Sequence, residues 1–224
     1  MRIGGGSVAE IIRPCVIGLC GRSGSGKSFV SRLFEGFGIP AIDTDKVYRE
    51  MTGAPAGGVL SPCMKELVRE FGETILAEDK SLNRRALADI VFARGGEEKL
   101  RALNRITHRY ILGEAERRIE KYGKDGKWAV VVDAPLLFES GFDKKCDVII
   151  AATAPEETLV ERIVARDRID VAAALRRLAV QLSVQDVKKR ADYVINTDTD
   201  AEELKLKIAG VIDSIKNSER KTVK

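Results

Sequence analysis

Five apolar runs punctuate the chain: Cys15 to Cys20, Ile39 to Ile42, Trp128 to Asp133, Asp147 to Ala152 and Tyr193 to Asn196. The first, third and fourth are continuous rather than alternating. That pattern predicts strands covered on both faces, as in a parallel sheet. Between them the apolar positions recur at helical spacing. A helix is expected after Ser28, ending at Gly36 or Gly38. The stretch 46–122 reads as mostly helical, broken by Gly and Pro around 53–62. Within it Leu100, Leu103, Ile106, Tyr110, Ile111, Ala115, Ile119 and Tyr122 predict one long amphipathic helix. Gly123 to Gly126 reads as a turn. Pro155 to Arg168 predicts a helix with Pro155 near its first turn, and a charged helical stretch continues to Ala191. A final helix carries Leu204, Ile208, Val211, Ile212 and Ile215 on one face. Strands alternating with helices point to an α/β fold with a doubly wound, five-stranded parallel sheet.

Composition narrows the classes. The chain has 224 residues, 44% hydrophobic and 32% charged, with a net charge of +4. This suits one domain with an insertion and excludes a disordered chain. No apolar run is long enough to span a bilayer. Residues 1–14 lack the apolar core of a signal peptide, so a frayed leader and a cytoplasmic protein are expected. Lys and Arg alternate with Asp and Glu along the predicted helices, so no nucleic-acid partner is expected. The basic end from Lys216 to Lys224 reads as a solvated tail. Cys15, Cys20, Cys63 and Cys146 have no CxxC spacing and read as reduced thiols. His108 is the only histidine, which excludes a histidine metal cluster.

The chemistry begins after the first strand. Gly21-x4-Gly26-Lys27-Ser28 is a complete Walker A loop between a predicted strand and a predicted helix. Its glycines let successive N–H groups converge on phosphate oxygens, and the following helix points its positive end at the same anion. Ser23, Gly24, Ser25, Gly26, Lys27, Ser28 and Phe29 are therefore the expected nucleotide contacts. Lys27 supplies a cation at the β- and γ-phosphates, and the Ser28 hydroxyl is a candidate ligand for Mg²⁺. No Asn-Lys-x-Asp base-reading motif and no Leu-Ser-Gly-Gly-Gln signature accompany the loop. A GTPase and an ABC-type ATPase are thereby disfavoured, and a kinase acting on a small molecule is expected.

Such a kinase needs a base, a metal site and a cationic lid. Asp43-Thr44-Asp45 lies at the carboxyl end of a predicted strand, where ligands bind. If the chain stays extended there, both carboxylates face the cleft. One of them, Asp45 before Asp43, would take the acceptor's proton, and the alternative is a pair that caps the next helix. Asp133 ends the strongest strand and is a candidate for Mg²⁺, against a turn cap. Glu139 is more weakly placed. Between Glu161 and Arg190 lie Arg162, Arg166, Arg168, Arg176, Arg177 and Arg190. One or two of these are expected over the transferring phosphoryl group, with Arg166 first. His108 and Arg109 sit mid-helix and suit anion binding better than proton transfer.

The ordered set of motifs resembles the dephospho-coenzyme A kinase family. The resemblance runs through Ile17 to Ser28, Ile42-Asp-Thr-Asp45, Phe71-Gly, Ser81 to Leu87, Val91-Phe92, Leu103 to Ile111, Asp133-Ala-Pro-Leu-Leu-Phe-Glu139, Arg166-Asp167, Arg177-Leu-x-x-Gln181 and Ala191 to Ile195. It implies a three-layer P-loop fold and ATP-dependent phosphorylation of the 3′-hydroxyl of dephospho-coenzyme A. It implies a core over 15–45, 123–154 and 192–215, a helical coenzyme-A-binding insert over 46–122 and a lid over 155–191. Asp45 takes the place of the catalytic carboxylate, Lys27 of the loop lysine and Arg166 of a lid arginine. Asp45, His108, Arg109 and Asp133 are the expected substrate-side residues. Cys20, Arg22 and Ser23 replace the family's usual Thr, Gly and Ile, and Arg22 puts a cation at the phosphate loop. Arg109 replaces a Pro, and Thr197 stands near an expected Asn. A preference for ATP rests on the resemblance alone. The rival readings are a P-loop kinase of nucleosides or nucleoside monophosphates, and a nucleotide-binding regulator without turnover. No long heptad is visible, so a monomer is expected.

Overall fold

The computed structural model describes residues 13–222. Five strands form one parallel sheet: β1 (Cys15–Cys20), β2 (Ala41–Asp43), β3 (Ala129–Asp133), β4 (Val148–Thr153) and β5 (Tyr193–Asn196), in the order β2-β3-β1-β4-β5. Central β1 pairs with β3 from Cys15 against Ala129 to Leu19 against Asp133, and with β4 on its other side. All six β1 residues are buried. That explains the unbroken apolar run, because neither face of this strand meets water.

Among the described residues the α-helices are nine: α1 (Lys27–Gly36), α2 (Thr44–Thr52), α3 (Pro62–Phe71), α4 (Arg84–Val91), α5 (Glu97–Lys124), α6 (Glu156–Asp167), α7 (Val171–Ala179), α8 (Val184–Arg190) and α9 (Ala201–Thr222). One face of the sheet packs with Val30 and Phe34 of α1 and with Leu204, Ile208, Ile212 and Ile215 of α9. The other face packs with Val47 of α2, Ala115 and Ile119 of α5 and Val187 of α8. The layers are therefore helix, sheet, helix. The insert has its own core, built by Cys63, Met64, Leu67 and Phe71 with Leu87, Val91, Ala102 and Ile106. The lid has a smaller one, with Leu159, Ile163, Ala174 and Leu178 at its centre.

Helix α5 belongs to two cores. Its first half closes the insert, and its second half lies on the sheet. At 28 residues it is about 42 Å long. The long periodic pattern in the sequence is this one element.

Three expectations change, and a fourth lies largely outside the described residues. The chain does not stay extended from Asp43 to Asp45, because α2 begins at Thr44. The charged stretch before Ala191 is two helices, α7 and α8, capped by Asp170 and Ser183. Helix α9 runs through Lys216 to Thr222, past the point where a separate tail was expected to start, because Lys, Glu and Arg are good helix formers. The leader expected over 1–14 lies outside the described residues except Arg13 and Pro14, and Pro14 is already buried. Among the described residues, no helix is long and apolar enough to cross a membrane.

Candidate active site

The site lies at the carboxyl ends of β1, β2 and β3, the crevice where open parallel sheets bind ligands. The phosphate loop leaves β1 at Gly21 and enters α1 at Lys27. Gly24 and Gly26 both have φ of +78°. A Cβ at Gly24 would stand 2.6 Å from the Leu159 carbonyl, so the loop and α6 touch backbone to backbone. Gly26 is the residue before α1, and its carbonyl takes the Phe29 and Val30 N–H groups at 2.9 and 3.1 Å, which starts the helix directly at the loop. The loop lines a cleft of about 410 Å³ together with Phe29, Asp45, Pro135, Arg162, Arg166 and Gln181. All seven expected nucleotide contacts, Ser23 to Phe29, border this one cleft.

A second cavity of about 220 Å³ opens beside it. Its walls are Tyr48 of α2, His108 and Ile111 of α5, and the turn after β3 with Pro135 and Leu136. Among the described residues, only Asp45 and Pro135 border both spaces.

Two neighbours set the position of Asp45. Asp43 caps α2, accepting from the Lys46 N–H at 2.9 Å, and it pairs with Arg49 at 3.6 Å. Thr44 is buried and donates to the Asp133 carbonyl at 3.0 Å. The capped first turn thus turns Asp45 toward the two cavities, while Asp43 borders neither. The expected carboxylate pair becomes one cap and one cleft residue, because a helix separates side chains that a strand would align.

Asp133 is 6% exposed and stands opposite Asp43 in the sheet register. Burial pushes its carboxyl up to about 6, with Lys27 opposing and the charges of Asp43 and Asp45 adding. Among the described residues, no group of three or more His, Cys, Asp or Glu side chains is arranged to hold a metal. Mg²⁺ does not need one, since it takes one or two carboxylates and fills its shell with phosphate oxygens and water. Asp133 and the Ser28 hydroxyl are hard oxygen donors of the kind that ion takes; Ser28 borders the phosphate cleft, whereas Asp133 lines neither cavity.

His108 lines the second cavity, where burial lowers its pKa and the charge of Glu139 partly opposes the shift. Glu139 borders neither cavity. Arg109 is not brought to the site: it pairs with Glu66 of α3 and lies 4.8 Å from the Tyr110 ring centroid. It fastens α3 to α5. The α5 wall of the cavity is the stripe Leu103, Asn104, Thr107, His108, Ile111 and Leu112, and Arg109 lies off it on the side that meets α3.

The segment 155–191, expected as a lid, meets the phosphate loop. Arg166 reaches the Ser23 hydroxyl at 3.3 Å and is held by Asp167, which also takes Arg177. Those hydrogen bonds hold the Asp167 carboxyl down to about 2. Arg162 donates to the Thr197 hydroxyl at 2.9 Å, the Thr197 carbonyl at 3.0 Å and the Gly24 carbonyl at 3.3 Å. Buried Thr197 donates in turn to the Ser25 carbonyl at 2.9 Å. The hydroxyl at the position of the expected Asn therefore braces the loop from behind. Arg22 turns its guanidinium to the lid, donating to the Leu178 carbonyl at 2.6 Å. The thiols take no part: burial pushes Cys20 and Cys146 up to about 12 and Cys63 to about 11, which keeps them protonated.

The sequence reading missed Thr44, Tyr48, Pro135 and the positioning role of Thr197. Thr44 and Thr197 are polar residues at strand ends, a weak signal. Nothing in the sequence marks Tyr48 as a cavity wall.

Comparison with known proteins gives the same assignment. A family model described as dephospho-CoA kinase matches residues 15–203. The chain belongs to the dephospho-CoA kinase family. A dephospho-CoA kinase of Bacillus anthracis is 38% identical over 183 residues, covering 82% of this chain and 88% of its own. One from Bacillus licheniformis is 35% identical over 205 residues, covering 92% and 98%. A solved structure from Thermus thermophilus superposes with a TM-score of 0.74 at 28% identity, covering 91% of this chain and 98% of its own. The family match includes both cavities, the insert and the lid.

Proposed function

We propose that this protein transfers the γ-phosphoryl group of ATP to the 3′-hydroxyl of dephospho-coenzyme A, giving coenzyme A and ADP, the last step of coenzyme A synthesis. The supporting observation is the placement of Asp45 on the border of two cavities, one built for phosphate and one lined by the insert. A transferred group must cross such a border. The donor triphosphate lies along Ser23 to Ser28, and the acceptor lies against Tyr48, His108 and Leu136. Asp45 takes the 3′-hydroxyl proton as that oxygen bonds to the γ-phosphorus and the bond to the β–γ bridging oxygen breaks. Lys27 and Arg166 hold the charge that spreads over the phosphoryl oxygens. His108, kept neutral by its lowered pKa, offers a hydrogen bond to the acceptor. Mg²⁺ bound with the nucleotide would neutralise phosphate charge, and Ser28 and Asp133 are the residues that would hold it. The reading is of a cytoplasmic monomer with no nucleic-acid partner.

The test is ADP release with Mg²⁺-ATP, comparing dephospho-coenzyme A with AMP, CMP, UMP and uridine, with the product mass checked for one added phosphate. Turnover with dephospho-coenzyme A alone is expected. Turnover with a nucleotide instead keeps the mechanism and overturns the acceptor. Asp45→Asn is expected to lower kcat by ~10² or more with ATP affinity retained. A near-normal kcat would make Asp45 a binding residue.

A further inference from the structure

Three consecutive residues of the phosphate loop are tied to the lid. Gly24 accepts from Arg162 and lies against Leu159. Ser23 donates its N–H to Gln181 Oε1 at 3.0 Å and takes Arg166 on its hydroxyl. Arg22 makes the third tie, and it differs in kind. It reaches both ends of the α6–α7 pair: Nη2 donates to the Leu178 carbonyl at 2.6 Å, and Nη1 lies 3.5 Å from Glu156. Glu156 is the first residue of α6, and Leu178 is in the last turn of α7.

That last turn matters. The final carbonyls of a helix lack intrahelical donors and carry the negative end of the dipole. The Leu178 carbonyl takes the Gln181 N–H at 3.2 Å, and the guanidinium is its second and shorter donor. The Arg22 side chain is only 11% exposed, and its Nε is buried without a hydrogen-bond partner. A cation on a phosphate loop would ordinarily be read as an anion ligand. Here both partners of the guanidinium belong to the lid. The Glu156 carboxylate is 61% exposed, so that pair contributes little, and the Leu178 bond carries the contact.

The lever is long. Arg166 lies ten residues after Glu156 on α6, about 15 Å along the axis. A tilt of about 4° at the start of α6 would then move Arg166 by about 1 Å, a displacement that can cost up to ~10² in rate.

We propose that Arg22 is a positioning residue that clamps the base of the α6–α7 pair onto the phosphate loop and thereby sets Arg166 over the transferring phosphoryl group. The second half rests on the proposed role of Arg166. The clamp does not require Arg22 to touch either substrate.

The experiment uses the full chain with Arg22→Met, Arg22→Lys, Arg166→Ala and the Arg22→Met/Arg166→Ala double variant. Arg22→Met is expected to lower kcat about tenfold with the acceptor KM changed less than about twofold. Amide hydrogen exchange at 178–183 is expected to speed up. Arg22→Lys, which keeps one donor for the Leu178 carbonyl, is expected to recover most of both. In the Arg166→Ala background, Arg22→Met is expected to cost less than about twofold, since coupled residues are not additive. Multiplying losses overturn the path through Arg166. Unchanged exchange at 178–183 in Arg22→Met overturns the clamp. A near-normal kcat for Arg166→Ala alone overturns the role of Arg166 and is read without any Arg22 variant. The exchange measurement still decides the clamp in that case.

Discussion

The two sides of the site are built by opposite means. The proposed donor side is a contiguous run of small residues, so the binding proposed there falls to the backbone. It is held in shape by polar bonds from far along the chain: Thr197 to Ser25, Arg162 to Gly24, Gln181 to Ser23. The acceptor side is a wall of scattered side chains on α2, α5 and the turn after β3, resting on an apolar cluster of the insert. The difference follows from the ligands. A triphosphate presents the same oxygens at every encounter, and a ring of N–H groups matches them. A large acceptor must be recognised by shape, and shape needs a packed support. The two sides meet at Asp45 and Pro135.

The sharpest way to separate the sides is to damage one support. Leu67 is fully buried in the insert core. Leu67→Ala should cost ~2–5 kcal/mol of stability by leaving a cavity. The acceptor KM should rise while the affinity for ATP changes less than about twofold, because distant sites act independently. Urea unfolding and calorimetric titration of ATP would check both. A parallel fall in ATP affinity would show that the insert also supports the phosphate loop.

The same contrast decides what could be read from the sequence. The donor side was legible because its chemistry lies in eight adjacent residues between a strand and a helix. The three inner strands were legible because burial on both faces leaves almost no polar position in them, whereas the edge strands β2 and β5 are short and partly exposed. The acceptor side was not. Tyr48, Thr107 and Leu136 carry no local pattern and become neighbours only when α5 crosses from the insert to the sheet. Arg109 was misplaced for the same reason, since the sequence does not say which face of α5 meets α3. Asp43 and Asp45 were legible as a pair but not as two roles. That depended on whether β2 ran on or α2 began, and helix boundaries are the least certain part of any sequence reading. Arg22 was visible as a departure, but its partner is a carbonyl, and carbonyls leave no mark in a sequence.

A second prediction probes the charge at the seam. The Asp133 carboxyl is pushed up to about 6 by burial, above its unfolded value. A raised carboxyl favours the protonated form in the folded state. Its contribution is intact below the unfolded pKa and is lost as pH rises through about 6. Asp133→Asn removes that loss. Relative to the parent protein, the variant should be more stable at pH 8 than at pH 4 by ~1–3 kcal/mol. Urea unfolding at both pH values would show it. Activity should move the other way, since the ionised form is the one that suits Mg²⁺, and the parent's rate with limiting Mg²⁺ should fall below about pH 6. An equal stability difference at both pH values would mean that water or a counterion relieves the buried charge.

The smallest effect is the most discriminating at the border itself. Asp43 caps α2 and pairs with an exposed Arg49, so Asp43→Ala should cost ~1 kcal/mol, nearly all of it from the lost cap. Because Asp43 borders neither cavity, kcat should fall only severalfold, through looser placement of Asp45, against the ~10² expected for Asp45→Asn. Asp43 also raises the Asp133 carboxyl, so its removal should shift the acid limb of the rate to lower pH. A pH profile of kcat for the three proteins separates the cases. A severalfold loss with a downward shift keeps Asp43 as a cap whose charge is felt by Asp133. A loss as large as that of Asp45→Asn would mean that the two carboxylates act on the acceptor together, as an extended chain would have placed them.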